Sequence, residues 1–180
     1  MTYEEARNIP LYSLKPSNIN YFGKDENLII ADIDPSELND QAYQTAILYF
    51  DAQRGLHGIV LNVPTDLSDT SRKEKESEDN GKEALTLYET ETIGLDNTYG
   101  KPNNKEEFIS NKNAFYQSLA VCLKKQRELA MKGGDQSDIK DCSKWQRDYK
   151  KDNVVVLLTI GIHEVSKQYI LTHNKTSDAE

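Results

Sequence analysis

The chain has 180 residues, 37% hydrophobic and 29% charged, with a net charge of −8 and a mean hydropathy of −0.74. That length suits one domain and is enough to bury a core. No apolar run approaches the roughly 18 residues of a membrane-spanning helix. Two cysteines and nine glycines exclude a disulfide-dense or collagen-like scaffold. The charge is uneven: residues 1–100 carry −11 and residues 101–180 carry +3. An acidic first part excludes nucleic acid as the main ligand, because phosphate contacts need clustered Lys and Arg. It favours a basic protein partner through electrostatic steering.

The first five residues, Met-Thr-Tyr-Glu-Glu, have neither the basic nor the apolar region of a secretory leader. The expected location is therefore cytoplasmic, or periplasmic or secreted if a leader has been removed. Residues 2–8 form a short helical turn, stopped by Pro10. Leu11 to Phe22, with Pro16 and Asn18, is loop and edge strand. Leu28-Ile29-Ile30-Ala31 is a short buried strand set off by polar residues. Pro35 to Leu38 is a turn or helix start, and Ala42 to Phe50 suits a strand or a short helix. Gly55 to Gly58 is a turn, and Ile59-Val60-Leu61 is a strand.

Residues 66–83 are charged and Ser-rich without an apolar period, which predicts a mobile charged loop. Leu85 through Ile93 is Thr-rich and strand-like, and Gly94 to Asn104 is loop. A helical hairpin is expected over about 105–150. Asn104 and Glu107 resemble a polar cap with its acidic reply, and Phe108, Phe115, Leu119, Cys122 and Leu123 form an apolar stripe. Gly133-Gly134 stops the first helix, and Asp135 or Ser137 opens a second through Trp145. Val154 to Ile162 is the most apolar run, Tyr169-Ile170-Leu171 a last short strand, and 175–180 a frayed tail. The expected fold is α+β or α/β: a single domain over 1–180, with one mixed sheet of short strands and the hairpin packed on it.

Residues 28–65 carry a motif: Leu28-Ile29-Ile30-Ala31, Asp40-x-x-Tyr43, Tyr49-Phe50, and Gly55-x-x-Gly58-Ile59-Val60-Leu61-Asn62-x-Pro64-Thr65. It resembles the opening of the AlgH/YqgE family of bacterial proteins. Residue 63 is Val where that family usually has Arg or Lys. The helical block has no counterpart there. The resemblance implies an α/β fold, a binding or regulatory role and no cofactor. It carries over no catalytic residue.

His57, His163 and His173 have no partner at ligand spacing, and no Gly-x-Ser-x-Gly elbow or phosphate loop is present. Asp32 and Asp34, with Glu37 close behind, follow a buried strand and are the candidate ligands for a divalent ion. Cys122 and Cys142 are either a disulfide or two buried apolar residues; in a helical hairpin they would sit at different heights. Lys124, Lys125, Arg127 and Lys132 form a basic ridge or a solvated face.

These features point to a non-enzymatic binding or regulatory protein that acts through a protein partner, as an immunity protein neutralises a basic toxin. No catalytic residue and no cofactor is assigned, and the oligomeric state is left open. The alternatives are a metal-dependent hydrolase using Asp32 and Asp34, and a structural or assembly component.

Overall fold

In the computed structural model the described residues are 1–8, 15–16, 28–34, 43–51, 54–65, 81–133, 142–162 and 164–172. They form an α+β fold, a seven-strand antiparallel sheet with helices packed on it. In chain order the elements are α1 (Tyr3–Arg7), β1 (Lys15–Pro16), β2 (Leu28–Ile33), β3 (Thr45–Asp51), β4 (Gly55–Pro64), α2 (Lys82–Tyr99), β5 (Asn104–Phe108), α3 (Phe115–Met131), β6 (Lys144–Lys151), β7 (Val154–Ile160) and β8 (Glu164–Leu171). The two-residue β1 adds a short edge, and the strand order is β1-β2-β3-β4-β8-β7-β6-β5. Contacts cluster into two compact units, one of Met1–Val63, Lys150–Leu157 and Lys167–Glu180, the other of Pro64–Tyr149 and Leu158–Ser166.

In the first unit β2, β3 and β4 form an antiparallel meander, with Ala31 opposite Leu48 and Leu48 opposite Ile59. Ala31, Ile33, Ala46, Leu48, Phe50 and Leu61 build its core together with Ala6 and Tyr43. The alternation of side chains along a strand puts these residues on one face. Helix α1 is fixed by a capping box: the Thr2 hydroxyl accepts the Glu5 N–H at 3.2 Å, and the Thr2 N–H donates to the Glu5 carboxylate at 2.7 Å. It lays Tyr3 edge-on against Phe50. Residues 42–50, open to helix or strand in the sequence, are strand from Thr45 onward. Gly55 to Gly58 belongs to β4 and is not a turn, because the chain reverses earlier, where Asp51 accepts the Arg54 N–H at 2.8 Å. Gly55 has φ of +81°, and the Met1 carbonyl, which accepts the Leu56 N–H, fills the space a Cβ would need.

Two expectations for the second unit are corrected, and one for the sheet as a whole. The strand-like Leu85–Ile93 and the start of the loop after it lie in helix α2, which also takes Lys82 and Glu83 from the predicted mobile loop. Residues 66–80, the rest of that loop, lie outside the described residues, as does the tail 175–180. Ala84, Tyr88, Thr92 and Leu95 are buried on one helical face, and Thr86, Thr90 and Thr98 satisfy their hydroxyls on carbonyls four residues back. The predicted helical hairpin over 105–150 is instead one helix between two paired strands, β5 and β6. The sheet is antiparallel where a mixed one was expected. The β6–β7 turn is short, made of Asp152, at φ 54°, and Asn153. Pro35–Leu38 and the proposed caps Asp135 and Ser137 also lie outside the described residues.

Candidate functional site

Trp145, Arg147 and Tyr149 alternate along β6 and so share one face with Glu107 and Lys105 of the neighbouring strand β5. Both helices pack on that face. Tyr88 of α2 donates to Glu107 Oε1 at 3.4 Å, and Phe115 of α3 has its ring 5.7 Å from Trp145. Arg147 Nε donates to the same Glu107 oxygen, while Lys105 Nζ pairs with the other at 2.9 Å. The Arg147 guanidinium also lies 5.8 Å from the centre of the Tyr88 ring. Two residues further along β6, the Tyr149 hydroxyl donates to Asp96 of α2 at 2.9 Å.

The electrostatics follow from these contacts. Burial works to raise the Glu107 carboxyl, but its bonds to Arg147 and Lys105 outweigh this and hold it below the usual range. Burial, and then the Glu107 charge, pushes the Tyr88 phenol far up. Burial and the bond to Asp96 also raise the Tyr149 phenol. Glu107 is therefore held as an anion and the two phenols as neutral donors. The arrangement is a clamp that fastens a helix to two strands.

The residues singled out in the sequence lie elsewhere. Asp32 is half-buried on β2 opposite Ile47, and Asp34 is exposed just past the strand end. Since Ala31 and Ile33 face the core, Asp32 points to the other side of the sheet. Glu37 lies outside the described residues, among which no group of three or more His, Cys, Asp and Glu could hold a metal ion. His57 is exposed on β4, and His163 and His173 lie outside the described residues. Lys124, Lys125, Arg127 and Lys132 are all exposed on or just after α3, with Lys124 3.9 Å from Glu128.

Cys122 and Cys142 are bonded, their Cα atoms 5.4 Å apart. The height mismatch expected from a hairpin does not arise, because Cys142 precedes a strand and not a helix end. Ser143 reinforces the junction: its N–H donates to Cys122 Sγ at 2.7 Å, and its hydroxyl bonds Ser110.

Fold and site together define an α+β protein whose described residues include a polar helix-to-sheet clamp. No family model, curated protein or solved structure gives a significant match to the chain. No described helix is long and apolar enough to cross a membrane.

Proposed function

We propose that this is a binding protein that acts through a protein partner, and that the partner is basic. The observation that carries the reading is the outer face of α2. Ile93 is 64% exposed there, and Thr86, Glu89, Thr90 and Asn97 surround it at helical spacing, all exposed. An apolar anchor within a polar rim is the anatomy of an interface centre. Glu83, Glu89, Glu91 and Asp96 give the helix four acids against the single base Lys82, so a basic surface is its electrostatic complement. Neutralisation of a basic toxin is one activity of this kind. The disulfide supports an oxidising compartment over the cytoplasm.

The test is affinity capture from the source cells, followed by titration of the recovered protein against the wild type and Ile93→Asp. A basic partner whose affinity falls with added salt and with Ile93→Asp is expected. A partner that binds Ile93→Asp as tightly as the wild type, or no stoichiometric partner at all, would overturn the proposal.

A further inference from the structure

Cys122 is the last residue of α3 that is buried among those described. Ahead of it, Phe115, Tyr116, Ser118 and Leu119 pack inward. Beyond it, as far as Met131, the described side chains are exposed, except that Gln126 and Leu129 are half-buried. Core packing therefore holds the first half of the helix, and the Cys122–Cys142 bond anchors the second. A helical stretch as short as Leu123–Met131 is marginal without such support. The two sulfurs of the bond are not equivalent. Cys122 is 5% exposed, whereas Cys142 is half-buried in the irregular stretch just ahead of β6. A thiolate arriving from solution meets Cys142 first, and exchange expels the sulfur that is not attacked, here Cys122. A donor for that departing thiolate is already in place. The Ser143 N–H bonds Cys122 Sγ at 2.7 Å, and the Ser143 hydroxyl is itself tied to Ser110 at 3.0 Å. A hydrogen bond to a charged form favours that form.

We propose that the Cys122–Cys142 bond is a reducible latch: a dithiol reductant opens it by attack at Cys142, and the opened ring releases Leu123–Met131 from the body of its unit. In the first step a thiolate of the reductant bonds to Cys142 Sγ, the Cys122–Cys142 bond breaks, and its electron pair leaves on Cys122 Sγ. In the second, the reductant's other thiolate attacks the reductant sulfur of that mixed disulfide and expels Cys142. Two electrons pass to the protein, the reductant's two protons end on Cys122 and Cys142, and the reductant leaves as a disulfide. The released stretch carries Lys124, Lys125 and Arg127, so the latch governs how that basic ridge is held.

Two measurements on the full chain test this. In the first, the oxidised protein meets a large excess of reduced glutathione, is quenched early with acid, and is mapped by peptide mass spectrometry. The mixed disulfide is expected on Cys142, in roughly tenfold or greater excess over Cys122. In the second, hydrogen exchange is followed in the oxidised protein, in the protein reduced by dithiothreitol, and in Cys122→Ser/Cys142→Ser. Amides of Leu123–Met131 should exchange roughly tenfold or more faster in the reduced protein, with those of Phe115–Leu119 and β6 unchanged. The double variant should match the reduced protein; if it does not fold, the reduced wild type alone decides. Glutathione found mainly on Cys122 would overturn the proposal, as would a bond that survives dithiothreitol in the folded protein. So would exchange that stays the same on reduction, or that speeds up equally along the whole of α3 and β6.

Discussion

Arg147 and Glu107 are diagonal neighbours on the β5–β6 pair, Arg147 standing opposite Lys105 and Glu107 opposite Trp145, and both side chains are largely buried, at 16% and 13% exposure. Tyr88 reaches the same carboxylate from α2, so one acid joins two strands and a helix. Glu107→Gln leaves the guanidinium without its counter-charge and should cost about 2 kcal/mol. The double variant Glu107→Gln/Arg147→Met should cost less than the sum of the two single changes, since it removes both charges together. Urea denaturation of the four proteins measures this.

The same carboxylate makes stability depend on pH. Its folded value lies below the ordinary 4.5, so its contribution is fully present above 4.5 and is lost as the pH falls through the folded value. The gap in unfolding midpoint between the wild type and Glu107→Gln should therefore be widest at neutral pH and narrow in acid.

The tyrosines act at the opposite end of the scale. Tyr88 and Tyr149 are raised above the ordinary 10.0, so their contribution is present below that pH and declines as the pH climbs beyond it. Tyr88→Phe should lose less stability than the wild type on going to strong alkali, and its absorbance titration should lack one late-ionising phenol.

Gly81, which caps α2, and Gly94, within it, predict opposite outcomes. Gly81 has φ of +83°, and a Cβ there would lie 2.5 Å from the Phe115 ring. Gly81→Ala should destabilise by about 2 kcal/mol or more. A Cβ on Gly94, inside the same helix and exposed, meets nothing within 4 Å. Gly94→Ala should stabilise by about 0.5–1 kcal/mol. Thermal melts of the two variants on either side of the wild type would bear this out.

Closing a loop with a sequence separation of 20, the Cys122–Cys142 bond should contribute about 3 kcal/mol. Reductant should lower the melting temperature of the wild type and leave Cys122→Ser/Cys142→Ser unchanged.

The sequence announces those strands whose apolar runs are short and dense: Leu28–Ala31, Ile59–Leu61, Val154 onward and Tyr169–Leu171 all lie in strands. It misleads where two periods coincide. Trp145 and Tyr149 are four apart, which fits one helical face and equally one strand face; burial of Arg147 between them belongs to the strand. Threonines disguised α2, although Ala84, Tyr88, Thr92 and Leu95 follow helical spacing and Gly81 and Gly100 bracket the helix. β5 has no apolar period because it is an edge, and edges are kept charged. The clamp was illegible for another reason. Its hydrogen bonds join residues 19, 40 and 53 positions apart, a pairing that only the folded sheet creates.

The Cys122–Cys142 bond makes the stretch between those residues a covalent ring. A protease that cuts once inside the ring opens it without releasing a fragment. Such a nick would pass unseen on a non-reducing gel and would appear as two bands only after reduction. The purity of this protein is therefore properly judged on reducing gels.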